Sequence, residues 1–396
     1  MYDISIYGLG RRSIQDDLSD LSANLPTWKD LLVLRDVIPG LLDYRILAKK
    51  IEDMNGNVWL PAFSWDVLLS TGAYGKIYKG SRAIYVQQSE TNHYKLEGTE
   101  TIVLKEIAIE KNIHDDDHEQ AVRVIMYEAT IHALVVQLFK RIQWSFAVPK
   151  LYEIFARGAQ NIKSPLDVRE VVFGMEYIRG TTLYDFLKDR YAPKNRESNS
   201  TIYIRILAEV ALQLHQIQIH LRMNHRDMKV NNVLIRPREA TWEPVFSRFY
   251  PALSKLDTFG FNVVLIDYGF ACIACGDSHD PPEISLLEAG SWFGPTDSCF
   301  KTGRDLTQFI YCMECYFPSA IYFTPDLAAL IKKWMRVSYS GGEANLLYGV
   351  QEDGRPNGIP LKLKFDTGIY EFLRRSEVNP SHCAPQAILD DIRTLI

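Results

Sequence analysis

The sequence predicts an α+β chain built as a β-rich lobe followed by a helical lobe, with a small helical extension in front. Three observations carry this expectation. Between Phe63 and about Ile109, short apolar runs alternate with turn residues, as in V-L-L-S, K-I-Y-K-G, A-I-Y-V and T-I-V-L-K-E-I, the texture of antiparallel strands. A helix follows over about Glu119 to Phe139, with Val122, Ile125, Ala129 and Leu134 among its apolar positions. Beyond Thr182 the patterning is mostly helical. The expected division is 1–60 for the extension, 61–178 for the β-rich lobe and 179–396 for the helical one.

In chain order, Trp28, Leu31, Leu32, Leu34, Val37, Ile38, Leu41 and Leu42 give the extension its helical periodicity, interrupted at Pro39-Gly40. Amphipathic helices packed on a neighbouring lobe explain this pattern, as does an arm that binds a partner. Strands are expected again near Leu151–Phe155 and Val171–Tyr177. Residues 86–100 and 190–200 are polar and turn-rich and read as surface insertions. The stretch from Pro237 to Asn262 carries Trp242, Phe246, Phe249, Tyr250 and Leu253, so it is expected to fold onto the body.

Composition narrows the function. With 47% apolar and 23% charged residues the chain is of ordinary globular type, and a net charge of −5 excludes a strongly basic nucleic-acid binder. No signal-peptide pattern opens the sequence and no run approaches the roughly 18 apolar residues of a membrane span, so an intracellular, unsecreted protein is expected. Six cysteines are too few for a disulfide scaffold. Two C-x-x-C pairs, Cys272/Cys275 and Cys312/Cys315, have a spacing that elsewhere binds zinc; the second lies in an apolar helix, where cysteine serves as a small hydrophobe.

The strongest chemical signal is H-R-D-M-K-V-N-N at His225–Asn232, followed by the apolar V-L-I that contains Leu234. Phosphoryl transfer needs a hydroxyl placed in line and charge neutralised on phosphate oxygens. Asp227 can take the hydroxyl proton, Lys229 can reach a terminal phosphate and Asn232 can hold Mg2+. V-V-L-I-D-Y-G at Val263–Gly269 adds a buried strand ending in an acid, Asp267, and a glycine. Upstream, S-T-G-A-Y-G-K-I-Y supplies Gly72 and Gly75, whose amides could close over phosphates, and Ile77. Lys105 stands in a later strand, I-V-L-K. Glu128, on the packed face of the next helix, is its expected ion partner in preference to Glu119.

This order resembles the eukaryotic protein-kinase superfamily over roughly residues 63 to 340, most specifically at the catalytic loop. The resemblance implies a bilobal protein-kinase-like fold and a Ser/Thr protein kinase using ATP and Mg2+ on protein substrates. Asp227 would be the catalytic base, Lys229, Lys105 and Glu128 catalytic, and Asn232 and Asp267 the metal ligands. Gly72, Gly75, Ile77, Lys105, Met175, Glu176, Ile178 and Leu234 would bind the nucleotide, the backbones of Glu176 and Ile178 reaching the adenine edge. Gly303-Arg304-Asp305 resembles the helix start whose acid braces the loop. The first glycine of the phosphate loop is replaced by Ser70; the long stretch from Asn232 to Asp267, Tyr268 where Phe is usual and the absence of A-P-E after Asp267 are features similar to haspin-like kinases and to kinases of large DNA viruses. A pseudokinase scaffold and a small-molecule kinase are the alternatives; Lys229 argues against the second. Arg226 is expected to find a carboxylate among Asp277, Asp280, Glu283 and Glu288, giving activity without loop phosphorylation.

Overall fold

The computed structural model describes residues 63–72, 75–87, 94–109, 114–158, 165–275, 284–289, 300–340, 342–347 and 368–396. The helical extension expected over 1–60 lies outside them. The chain is α+β and divides into two compact units, one ending at Gln137 and resuming over Pro149–Ile178, the other comprising Leu138–Val148 and Arg179–Ile396.

The first unit contains β1 (Phe63–Gly72), β2 (Gly75–Gln87), β3 (Tyr94–Ala108), most of α1 (Asp115–Arg141), β4 (Leu151–Gly158) and β5 (Val168–Glu176). The strands form one antiparallel sheet in the order β1-β2-β3-β5-β4. Strand alternation sorts the side chains. Ile107, Val171 and Phe173 meet Val122, Ile125, Met126 and Ala129 of α1 on one face, while Ile102, Leu104 and Val172 pack with Trp65, Tyr78 and Tyr152 on the other. The α1 residues recur at helical spacing, and the helix has three acids in its first turn and two bases in its last, as its dipole favours. By length and composition α1 could cross a bilayer, yet most of its apolar stretch is buried in the protein. Within 86–100, expected as a surface insertion, residues 86–87 and 94–100 belong to β2 and β3, which pair out to Gln87 and Tyr94. Backbone pairing, not apolar content, makes these residues strands.

The second unit begins with β6 (Thr181–Thr182), α2 (Leu183–Lys188), α3 (Arg196–Leu221), β7 (Met223–Asn224), β8 (Val233–Pro237), α4 (Val245–Phe249) and β9 (Phe261–Leu265). It continues through β10 (Cys272–Cys275), β11 (Ile284–Glu288), α5 (Arg304–Tyr316), α6 (Ser319–Tyr322), α7 (Pro325–Trp334), β12 (Arg336–Tyr339), β13 (Gly342–Asn345), α8 (Gly368–Arg374) and α9 (Pro385–Arg393). Helix α3 is buried on nearly every side, the mark of a core helix. It starts inside the stretch 190–200 expected as a loop, because Asn199 is buried with its Nδ2 donating to the carbonyls of Ala192 and Tyr322. Three small sheets, β6-β8-β9, β7-β10-β11 and β12-β13, interrupt what the sequence reads as mostly helical.

Pro237 to Asn262 does fold back. Phe249 stacks on Trp144 with centroids 5.0 Å apart, and Trp242 lies parallel to Phe146 at 4.5 Å. The Asp257 carboxylate accepts from the amides of Phe246 and Ser247 at the start of α4. Trp144 is 1% exposed and also meets the edge of Phe139. Trp144→Ala is expected to cost about 3–5 kcal/mol through the cavity it leaves. A denaturant midpoint unchanged from wild type would show that the segment is not packed in this way.

Candidate functional site

In the first unit, β3 carries Lys105 between Ile77 of β2 and Phe173 of β5. Its Nζ donates to Glu128 Oε1 at 2.5 Å, and each side chain is only 11% exposed. Two charges so far from water require each other, since removing one strands the other. Glu119, the competing acid, lies 3.6 Å from Arg123 one helical turn along. Gly72 and Gly75 face each other across the β1–β2 hairpin. A β-carbon at Gly75 would collide with the Glu106 carbonyl, so β3 approaches too closely for any side chain there. Ile77 is half-buried, and Met175 packs against the core shared with α1. The Glu176 amide donates to the Lys150 carbonyl at 2.9 Å, so that amide is already used. Ile178 is buried.

In the second unit, β7 leads into His225. The Asp305 carboxylate, fully buried on the first turn of α5, accepts from the His225 amide at 3.0 Å, the Arg226 amide at 2.8 Å and Asn224 Nδ2 at 3.0 Å. Arg226 is held at φ 64°, a left-handed conformation that L-residues avoid. The turn aims Asp227 at Lys229 Nζ, 2.8 Å from Oδ2, and at Asn232 Nδ2, which donates to the same oxygen at 2.7 Å and to the Asp227 carbonyl at 2.9 Å. Asn232 ends the 3-10 helix Val230–Asn232, and its spent Nδ2 leaves Oδ1 to accept. Leu234, half-buried in β8, pairs with Thr182 and Val264. Asp267 follows β9, exposed and left-handed at φ 66°, while Tyr268 is buried against the His225 ring.

Burial pushes the Asp227 carboxyl above the usual aspartate range, opposed by the Lys229 ammonium and reinforced by the charge of Asp267. The site thus offers a buried carboxylate inclined to take a proton, an ammonium beside it, and two hard oxygen donors at Asn232 and Asp267.

Arg226 Nη1 donates to Glu288 Oε1 at 2.6 Å, the arginine fully buried. Glu288 arrives through the sheet: in β10, Cys272 stands opposite Asn224 on one side and Glu288 on the other. Asp277, Asp280 and Glu283, the other carboxylates considered for Arg226, lie outside the described residues. Cys272 is disulfide-bonded, whereas Cys312 and Cys315 are free thiols on α5, the first buried and the second exposed. Partial desolvation, reinforced by the charge of Glu314, pushes the Cys315 thiol up to about 11. Two contributors escaped sequence reading. Asn224 also accepts from the Lys301 amide at 2.6 Å, and Gln308 Oε1 accepts from the Met228 amide at 3.3 Å. The only signal for Asn224 was a polar residue in an apolar strand; for Gln308 it was its place one turn after Asp305.

No protein-family model matches the chain, and no curated protein matches it.

A carboxyl whose pKa is raised by folding holds its proton more tightly in the native state. Its contribution is present below the unfolded-state pKa and is lost as pH rises through the folded one. Asp227→Asn is therefore expected to melt higher than wild type at neutral pH, the difference closing in acid. A lower melting temperature at neutral pH, in a variant with native circular dichroism, would contradict the direction of the shift.

Proposed function

We propose that this chain is a Ser/Thr protein kinase that transfers the γ-phosphoryl group of ATP to protein hydroxyls. The observation that carries the reading is the Asp227 cluster, a carboxylate oriented by Lys229 and Asn232 on a backbone turn tied to Asp305. In the proposed reaction the acceptor oxygen bonds to the γ-phosphorus, the bond to the β–γ bridging oxygen breaks, and the hydroxyl proton passes to Asp227 while ADP leaves. A carboxylate made more basic by its surroundings suits that role. Lys229 sets positive charge beside the transferred group, and Lys105, steadied by Glu128, contacts the other phosphates.

Asn232 Oδ1 and the Asp267 carboxylate have the chemistry Mg2+ prefers, and a Mg2+ that shares its shell with phosphates needs few protein ligands. When bound, the metal supplies neutralisation of charge on phosphate oxygens. The backbone carbonyl of Glu176 and the amide of Ile178 suit the adenine edge, and the boundary at Ile178 supports the bilobal protein-kinase-like fold this reading implies. ATP and Mg2+ put the reaction in an intracellular compartment, where a disulfide such as that of Cys272 is more often transient than structural.

The test is phosphate transfer from radiolabelled ATP to a generic protein. Asp227→Ala and Asp267→Ala are expected to abolish transfer with the fold intact, Lys105→Met to lower it roughly 100-fold, and the products to be phosphoserine and phosphothreonine. Normal transfer by either aspartate variant, or mainly phosphotyrosine, would overturn the reading. The Arg226–Glu288 pair supplies from the chain itself the anion that a loop phosphate would otherwise provide. Phosphatase-stripped protein is therefore expected to start at full rate, and a lag that pre-incubation with ATP removes would refute this.

A further inference from the structure

We propose that Gln308 is a positioning residue for Asp227, the middle member of a stripe on α5 that reads alternate amides of the loop; the role, though not the contacts, rests on the kinase reading. The stripe is Asp305, Gln308 and Cys312, at i, i+3 and i+7, which a helix places on one face. Asp305 Oδ1 accepts from the Arg226 amide at 2.8 Å, Gln308 Oε1 from the Met228 amide at 3.3 Å, and the Cys312 sulfur from the Val230 amide. Asp227 thus has both flanking amides anchored to one turn of one rigid helix.

Each anchor is out of reach of solvent. Gln308 is 4% exposed, Met228 and Cys312 are fully buried, and Val230 is 1% exposed. No water can replace an acceptor that is removed, so the loop would have to move to satisfy the amide. Movement there matters, because the segment that begins at Met228 also carries Lys229 and Asn232, the two side chains that hold Asp227 Oδ2. A neutral acceptor suits position 308, since a carboxylate would add negative charge beside an aspartate already pressed by Asp267. The stripe also gives Cys312 a structural use that its C-x-x-C spacing does not suggest.

The experiment uses the full chain. Gln308→Met keeps the volume and helix preference but removes the oxygen, and Gln308→Glu keeps an acceptor oxygen. Amide hydrogen exchange is followed over Met228–Val230, with the melting temperature and the kcat and KM for ATP. Gln308→Met is expected to speed Met228 exchange and lower kcat by roughly ten-fold, the worth of one buried hydrogen bond. KM should stay within about two-fold, since nucleotide contacts are untouched. Gln308→Glu should keep the Met228 protection. Unchanged exchange and kcat in Gln308→Met overturns the proposal, as does equal loss of protection in both variants, which would mark a packing role. If wild-type protein transfers no phosphate, the kinase reading fails, and the exchange measurement alone decides whether Gln308 holds the loop.

Discussion

The carboxylate of Asp305 is fully buried, and a charge so placed exists only because donors surround it. All three donors, one side-chain and two backbone N–H groups, come from the tripeptide Asn224–Arg226, so satisfying one acid dictates how the chain reverses after β7. The left-handed Arg226, a conformation that costs about 1–2 kcal/mol, is tolerated because those bonds leave no alternative. Asp305 in turn sits in the first turn of α5, where the helix dipole favours a negative charge. The helix can begin there because Gly303 adopts φ 85° beside the Pro380 carbonyl, where a β-carbon would collide. One glycine, one acid and one tripeptide therefore fix the direction in which Asp227 points.

The lysine–carboxylate contacts Lys105–Glu128 and Lys229–Asp227 lie one in each unit, and burial gives them different characters. Lys105 and Glu128 are nearly enclosed, so each fixes the other, and the ammonium is held in one position. Lys229 is a third exposed, while Asp227 remains enclosed. Glu288 adds a third contact, drawn from a strand that β10 ties to β7, so the segment after Asp267 and the loop before Asp227 share one small sheet.

Much of this was legible in the residues. Short apolar runs in I-V-L-K-E-I and V-V-F-G-M-E specified strands because both faces of that sheet are covered by apolar side chains, and Glu128 was identifiable as an acid among apolar helical neighbours. Residues 86–100 and 190–200 misled for opposite reasons. In the first, a ribbon is held by backbone bonds that polar composition does not forbid; in the second, Asn199 earns its burial with carbonyls more than a hundred residues away or across a turn. Gln308 was not singled out because its one signal, a place one turn after Asp305, does not by itself show that it faces the Met228 amide, a relation set by how α5 packs.

The long β2–β3 hairpin has two regions with different support. From Lys76 to Arg82 on β2 it is flanked by β1, and from Ile102 to Ala108 on β3 by β5. Beyond those limits, out to Gln87 and Tyr94, β2 and β3 pair only with each other among the described residues, past an irregularity in register at Ile84/Tyr85. An unsupported pair of strands is marginal in water, whereas the same strands inside a sheet are not. The irregularity acts as a joint between them. Residues can be gained or lost at the outer end without sliding Lys105 against Ile77, since the inner register is fixed by neighbours the outer end never touches. The number of residues between Gln87 and Tyr94 can thus vary while the lysine stays where Glu128 requires it.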